Sequence, residues 1–134
     1  MKATIVYDNT TTRRDLIADW GFGCYIEADD KRILFDTGGD GPILLYNMKK
    51  LGISPSVITD VFISHHHFDH VGGLSDFLAE NSDVVLYVPR SVRGVYQARD
   101  VVHIDEAARL DENMYTTGEL GNIEQSLIIQ TEKG

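Results

Sequence analysis

Four of the five histidines in this 134-residue chain fall within six positions: His65, His66, His67 and His70, with Asp69 among them. Imidazole nitrogen and carboxylate oxygen are donors that zinc, iron and manganese all accept, and scattered core or surface histidines do not cluster this way. The preceding residues, 59–63, are apolar enough for a buried strand, so the cluster starts at a strand end. Along extended backbone, side chains two apart point the same way. His65 and His67 therefore converge on one point, and His66 turns to the opposite side. Asp69 and His70 follow where the chain bends, and can face a second point. Two divalent ions about 3.5–4 Å apart would hold a bridging hydroxide and stabilise the leaving atom of a hydrolysis. The plainer alternative is a solvated His-rich turn that captures metal adventitiously. The strand before the cluster, Gly72-Gly73 after it and the ordered spacing weigh against that. Ser64, at the strand end, reads as a packing residue or a turn hydrogen bond, and no other stretch supplies a nucleophilic-serine pattern. His103, alone in an apolar stretch, reads as a strand residue and not a ligand.

The rest of the chain alternates strands and helices. Residues 3–7 form a first strand and 8–15 a polar, Thr-rich loop. Residues 24–28 and 32–35 make a hairpin about Asp29-Asp30-Lys31. A helix is expected over 42–51, with Pro42 in its first turn and Gly52 as its stop. A short helix follows over 74–80, then strands over 84–88, 101–104 and 126–130, with a helical turn over 91–98. Residues 105–112 are polar and carry no clear element. This pattern predicts a single α/β layered domain over residues 1–134.

Composition narrows the function classes. Twenty-one acidic against 12 basic residues give a formal charge of −9, which repels a phosphate backbone and disfavours nucleic acid as a partner. No apolar run approaches the roughly 20 residues of a membrane helix. The first residues turn polar too early for a signal peptide. One cysteine, Cys24, excludes an internal disulfide framework and reads as a small buried apolar residue in a reducing compartment. The expected location is the cytoplasm.

Ser64-His65-His66-His67-Phe68-Asp69-His70-Val71-Gly72-Gly73 resembles the signature loop of the metallo-β-lactamase superfamily, and Leu34-Phe35-Asp36-Thr37-Gly38 resembles that family's upstream strand. The resemblance implies that His65 and His67 bind one metal and Asp69 and His70 a second, with Asp69 also catalytic. It implies that Asp36 supports those ligands from behind; a simple turn-forming aspartate is the compatible plainer reading. Tyr7-Asp8-Asn9-Thr10, Gly21-Phe22, residues 47–53 and Thr116-Thr117-Gly118-Glu119 resemble a narrower branch, the 7,8-dihydropterin-6-methyl-4-(ribofuranosyl)aminobenzene 5'-phosphate synthase group. Gln125-Ser126-Leu127-Ile128-Ile129 resembles that branch's strand before its next metal histidine.

The family fold is a four-layer αβ/βα sandwich of two halves, and the resemblance covers the N-terminal αβ half. The later ligands of the second half have no counterpart in this chain. The implied activity is a metal-dependent hydrolase, with a metal-bound hydroxide attacking an ester, phosphoester or lactam-like bond of a small molecule. Two divalent ions are expected, zinc first and iron or manganese as alternatives. A catalytically inactive metal-binding or dimerising half-domain, and a pterin-related condensing enzyme, are the competing expectations. Strands such as residues 33–35 and 61–63 would lie half-covered in a lone half-sandwich. A homodimer, or a complementary chain carrying the second half, is therefore expected to bury them.

Overall fold

The computed structural model describes residues 1–94 and 96–134. Six strands form the main sheet in the order β1 (Lys2–Tyr7), β2 (Gly23–Ala28), β3 (Lys31–Phe35), β4 (Asp60–Phe62), β5 (Val85–Pro89) and β6 (Asp100–Ile104). The first three run antiparallel, and β3 to β6 run parallel. The expected hairpin is present, with Cys24 opposite Phe35 and Ala28 opposite Lys31. Parallel strands need crossovers, and helices supply them. The helix α1 (Gly41–Lys50) joins β3 to β4, while α2 (Phe68–Val71) and α3 (Leu74–Glu80) lie between β4 and β5.

Local chemistry sets α1. Asp40 caps it by accepting the Ile43 N–H at 2.9 Å, Pro42 occupies the first turn, and Lys49 and Lys50 face the negative end of the dipole. Strand alternation then sorts the core. Leu34, Val61 and Leu86 lie side by side on one face of the sheet and pack with Leu44 and Met48 of α1 and Phe77 of α3. Ile33, Phe62 and Tyr87 belong to the other face, where the Phe35 and Phe62 rings stack at 5.5 Å.

That other face is covered by a second sheet, β7 (Glu106–Asp111), β8 (Met114–Gly118) and β9 (Leu127–Ile129), all antiparallel. Met114 is buried against it, with Leu110, Leu127 and Ile129 partly buried alongside. The chain thus forms three layers, helices on sheet on sheet. This corrects the expectation of half-covered strands. Ile33, Leu34, Val61, Phe62 and Ile63 are each at most 1% exposed within the single chain. Part of the cover, β7, comes from the stretch 105–112 that had looked polar and featureless, whereas β9 falls in the strand expected over 126–130. In β7 only Leu110 turns even partly inward while its neighbours face solvent, so its sequence carries almost no apolar signal. The apolar reason for a homodimer is removed with it. The helical turn expected over 91–98 includes Val95, outside the described residues; the described positions around it form a turn and bends, with no helix.

Among the described residues no helix is long and apolar enough to cross a membrane. A cleft of about 970 Å³ opens at the pole where β3 begins, lined in part by Asp29, Lys31, Asp111, Met114 and Gln130. The histidines lie at the other pole.

Candidate metal centre

The site is built where β3 and β4 end side by side. Phe35 pairs with Phe62, and the next N–H, that of Asp36, bonds the Phe62 carbonyl at 2.9 Å. Asp36 then turns into the left-handed region, φ +56°, with its carboxylate buried. Few non-glycine residues adopt that conformation, and aspartate is among those that do. The turn aims the carboxylate across at the exit of β4. Its Oδ1 accepts the Ser64 backbone N–H at 2.8 Å, and its Oδ2 accepts the Ser64 hydroxyl at 2.6 Å. The same Oδ2 lies 2.7 Å from His70 Nδ1.

These contacts fix the hydrogens. A serine hydroxyl has one proton, and the carboxylate takes it. Ser64 Oγ, 2.8 Å from His65 Nδ1, must then accept from that nitrogen. The His65 ring carries its hydrogen on Nδ1 and bares Nε2. His70 donates Nδ1–H to Asp36 and is turned the same way. One buried carboxylate thus orients two imidazoles, one directly and one through Ser64. This is how metal-ligating histidines are commonly held.

The remaining cluster residues gather around these two. His67 precedes α2 in extended conformation, and its ring lies 4.6 Å from that of His65, edge to face. The His65 and His70 rings are 4.1 Å apart. Asp69 Oδ2 sits 3.4 Å from His70 Nε2. Ligand atoms of Asp36, His65 and His70 all lie within 4.8 Å of one another. His66 and His67 are both exposed, and His103 is exposed on the edge strand β6. Thr37 grips the His70 carbonyl with both its N–H and its hydroxyl at 2.8 Å.

The loop between β1 and β2 braces the site from outside. The Phe22 N–H bonds the Asp69 carbonyl at 3.1 Å. At Gly21, φ +139°, a Cβ would stand 2.4 Å from that same carbonyl. At Gly38, φ +66°, it would meet the Tyr7 ring at 2.3 Å. Tyr7 in turn donates its hydroxyl to Asp19, and Asn47 clasps Ile17 through both its amide atoms at 2.9 Å.

Electrostatics favour a cation. The hydrogen bond to Asp36 raises the His70 pKa above 6.5, against the effect of burial. Burial, and then the charge of His70, pushes the His65 pKa below 6.5. Three crowded imidazoles with two carboxylates make a poor place for several protons and a good one for a divalent ion. The donor set fits such a metal.

One neighbour had no signal in the sequence. Glu124, in the β8–β9 connection, forms an isolated bridge with His65, and its Oε2 lies 4.0 Å from His65 Nδ1. Fifty-nine positions separate the two residues, so no local spacing could pair them.

A family model described as the metallo-beta-lactamase superfamily matches residues 24–107, well over half of the chain. The chain belongs to the metallo-beta-lactamase superfamily. Within this superfamily it is 45% identical over 58 residues to the 7,8-dihydropterin-6-methyl-4-(beta-D-ribofuranosyl)-aminobenzene-5'-phosphate synthase of Methanocaldococcus jannaschii, covering 42% of this chain and 20% of the synthase. It is 33% identical over 86 residues to a hydroxyacylglutathione hydrolase of Xanthomonas euvesicatoria pv. vesicatoria, covering 64% of this chain and 32% of that enzyme. A solved metallo-beta-lactamase-type structure from Thermotoga maritima shares the fold. Its TM-score is 0.64 at 23% identity, over 98% of this chain and 73% of that one. The matches span a fifth to about a third of the two curated relatives' own lengths.

Proposed function

We propose that this chain forms the metal-holding part of a metal-dependent hydrolase that cleaves an ester, phosphoester or lactam-like bond in a small molecule. The observation that carries the reading is the Asp36 relay, which occupies the Nδ1 atoms of His65 and His70 and so leaves their Nε2 lone pairs for a metal, with Asp69 Oδ2 3.4 Å from His70 Nε2. In this reading His65 and His67 hold one divalent ion and Asp69 and His70 the other, with zinc the expected metal and iron or manganese its rivals. Bound metal supplies Lewis-acid polarisation of the scissile bond and activation of water. Asp36 keeps both rings in the donor tautomer. Asp69, fixed through its carbonyl by Phe22, carries a carboxylate able to accept a proton at the reacting end. Thr37 holds the His70 backbone so that the ring cannot swing away.

The test is metal content per chain by elemental analysis, paired with turnover of nitrophenyl ester, nitrophenyl phosphate and lactam substrates. Two ions per chain and hydrolysis of one class are expected. Asp69→Ala should abolish that turnover and leave the unfolding free energy within about 0.5 kcal/mol of the parent's, as for substitutions outside the core. Hydrolysis that survives in the variant would overturn the mechanism. Metal uptake without turnover on any class would leave a metal-binding module and not a hydrolase.

A condensing reaction on a pterin-related phosphorylated substrate is the second reading, favoured by the 45% identity to the Methanocaldococcus jannaschii synthase. Product formation from a reduced pterin and an aminobenzene ribosyl phosphate, with no ester or lactam hydrolysis, would select it.

A further inference from the structure

We infer that Glu124 is an outer carboxylate of the metal centre, a positioning residue that acts through His65. The inference rests on the metal-holding reading above and extends it to a residue from the second sheet.

Three observations carry it. First, the backbone at Glu124 is fixed beside the cluster. The next residue, Gln125, is only 2% exposed and donates its backbone N–H to the Ser64 carbonyl and its side-chain Nε2 to the Ile63 carbonyl, both at 2.9 Å. Its Oε1 accepts the Thr116 hydroxyl at 2.8 Å. A buried residue with three such bonds, two from its side-chain amide and one from its backbone, and two of the three to the exit of β4, locks the β8–β9 connection against the metal loop. Second, Glu124 itself is closed into a tight turn, accepting the Leu120 N–H at 2.7 Å and donating to the Leu120 carbonyl at 3.3 Å. Third, its carboxylate points at the Nδ1 side of His65, the side away from the bared Nε2.

The consequence follows from charge. An imidazole that gives its Nε2 lone pair to a divalent ion gains positive character, and a carboxylate beside the ring stabilises it. Asp36 does this from within through Ser64, and Glu124 does it from the surface. At 4.0 Å in a largely aqueous setting a unit charge is worth about five-fold in an equilibrium constant. That sits below the 10- to 100-fold typical of hydrogen-bonded supports of a metal ligand. Because Glu124 is exposed, added salt screens part of its effect.

The experiment titrates purified metal-free protein with Zn²⁺ against a competing chelator. Co²⁺ titration, followed by visible absorption, reports the ligand field. Glu124→Gln removes the charge and keeps the shape; its zinc affinity is expected to fall about five-fold, with a smaller deficit at high salt. Glu124→Asp should restore most of the loss, and Glu124→Lys should deepen it. Glu112→Gln, at the opposite pole, should bind like the parent. The cobalt spectrum of Glu124→Gln should keep its intensity, since the ligands are unchanged. Zinc affinity of Glu124→Gln within two-fold of the parent overturns the assignment of Glu124 and leaves the metal-holding reading standing. A parent protein that takes up no metal overturns both.

Discussion

Two buried carboxylates stand at opposite ends of the same pair of strands, and they are neutralised in different ways. Asp60 opens β4 and is fully buried; Lys31 reaches it at 3.4 Å and Asp111 at 2.6 Å, and the Thr59 hydroxyl donates to it at 2.6 Å. Burial alone would lower the Lys31 pKa, but Asp111 and Asp60 outweigh it and raise it. The Tyr87 hydroxyl close by is pushed up to about 12, by burial first and then by the Asp60 charge. Asp36 follows β3, equally buried, and its partners are a backbone N–H, a hydroxyl and an imidazole. At the Asp60 end the cation is part of the chain and the charges close on themselves. At the Asp36 end the partners pass the charge on to rings whose far nitrogens remain unspent. The first arrangement ties β3 and β4 to β7 of the second sheet; the second prepares a place for a cation from outside.

The comparison is broken most forcefully at Lys31. Lys31→Met leaves Asp60 buried without its cation and should cost about 3 kcal/mol, the lower end for a broken buried pair because Lys31 is partly exposed. Urea unfolding measures it, and metal affinity should not change. A loss below about 1 kcal/mol would mean that Asp60 is held by Thr59 alone. At the other pole, Asp36→Asn keeps the shape and removes the charge. Metal affinity should fall 10- to 100-fold, about 1.4–2.7 kcal/mol, in the same chelator competition. If instead it lost stability and kept its metal, the two carboxylates would be alike.

The smallest effect concerns protons in the metal-free protein. His70, raised by Asp36, should titrate above 6.5 and His65 below it, read from the imidazole signals by NMR. The signs are opposite. The stability His70 contributes is complete below the unfolded pKa and is lost as pH rises through its higher folded value. His65 disfavours protonation when folded, so it destabilises the protein as pH falls below 6.5. In Asp36→Asn the His70 midpoint should move down towards 6.5, and a midpoint left in place would show that Asp36 is not its cause.

The candidate ligand cluster was more legible in the sequence than the architecture around it. Clustered donors at the end of an apolar run are a local pattern, and the structure brings the His65, His67 and His70 rings together with Asp69 beside them. The apolar strands and both longer helices were also legible, because burial on one or two faces leaves a period. Of the second sheet only β9 was, as the strand expected over 126–130. In β8 the buried positions are Met114, Thr116 and Gly118, and the last two carry no hydrophobic mark. Nor could spacing reveal that Ser64 relays a proton contact between His65 and Asp36, or that Gln125 locks its neighbour Glu124 beside His65. Those depend on chain segments brought together from afar.

The left-handed backbone at Asp36 has a consequence for what evolution can write there. Glycine would relax the backbone and lose the carboxylate; glutamate would keep the charge, but it carries a longer side chain and lacks the short-chain tolerance of that conformation. Asparagine keeps the shape and the acceptor at the cost of the charge. The substitution usually ranked most conservative, aspartate to glutamate, is therefore expected to be tolerated less well than aspartate to asparagine. Drift at this position is confined to a corridor barely one residue wide.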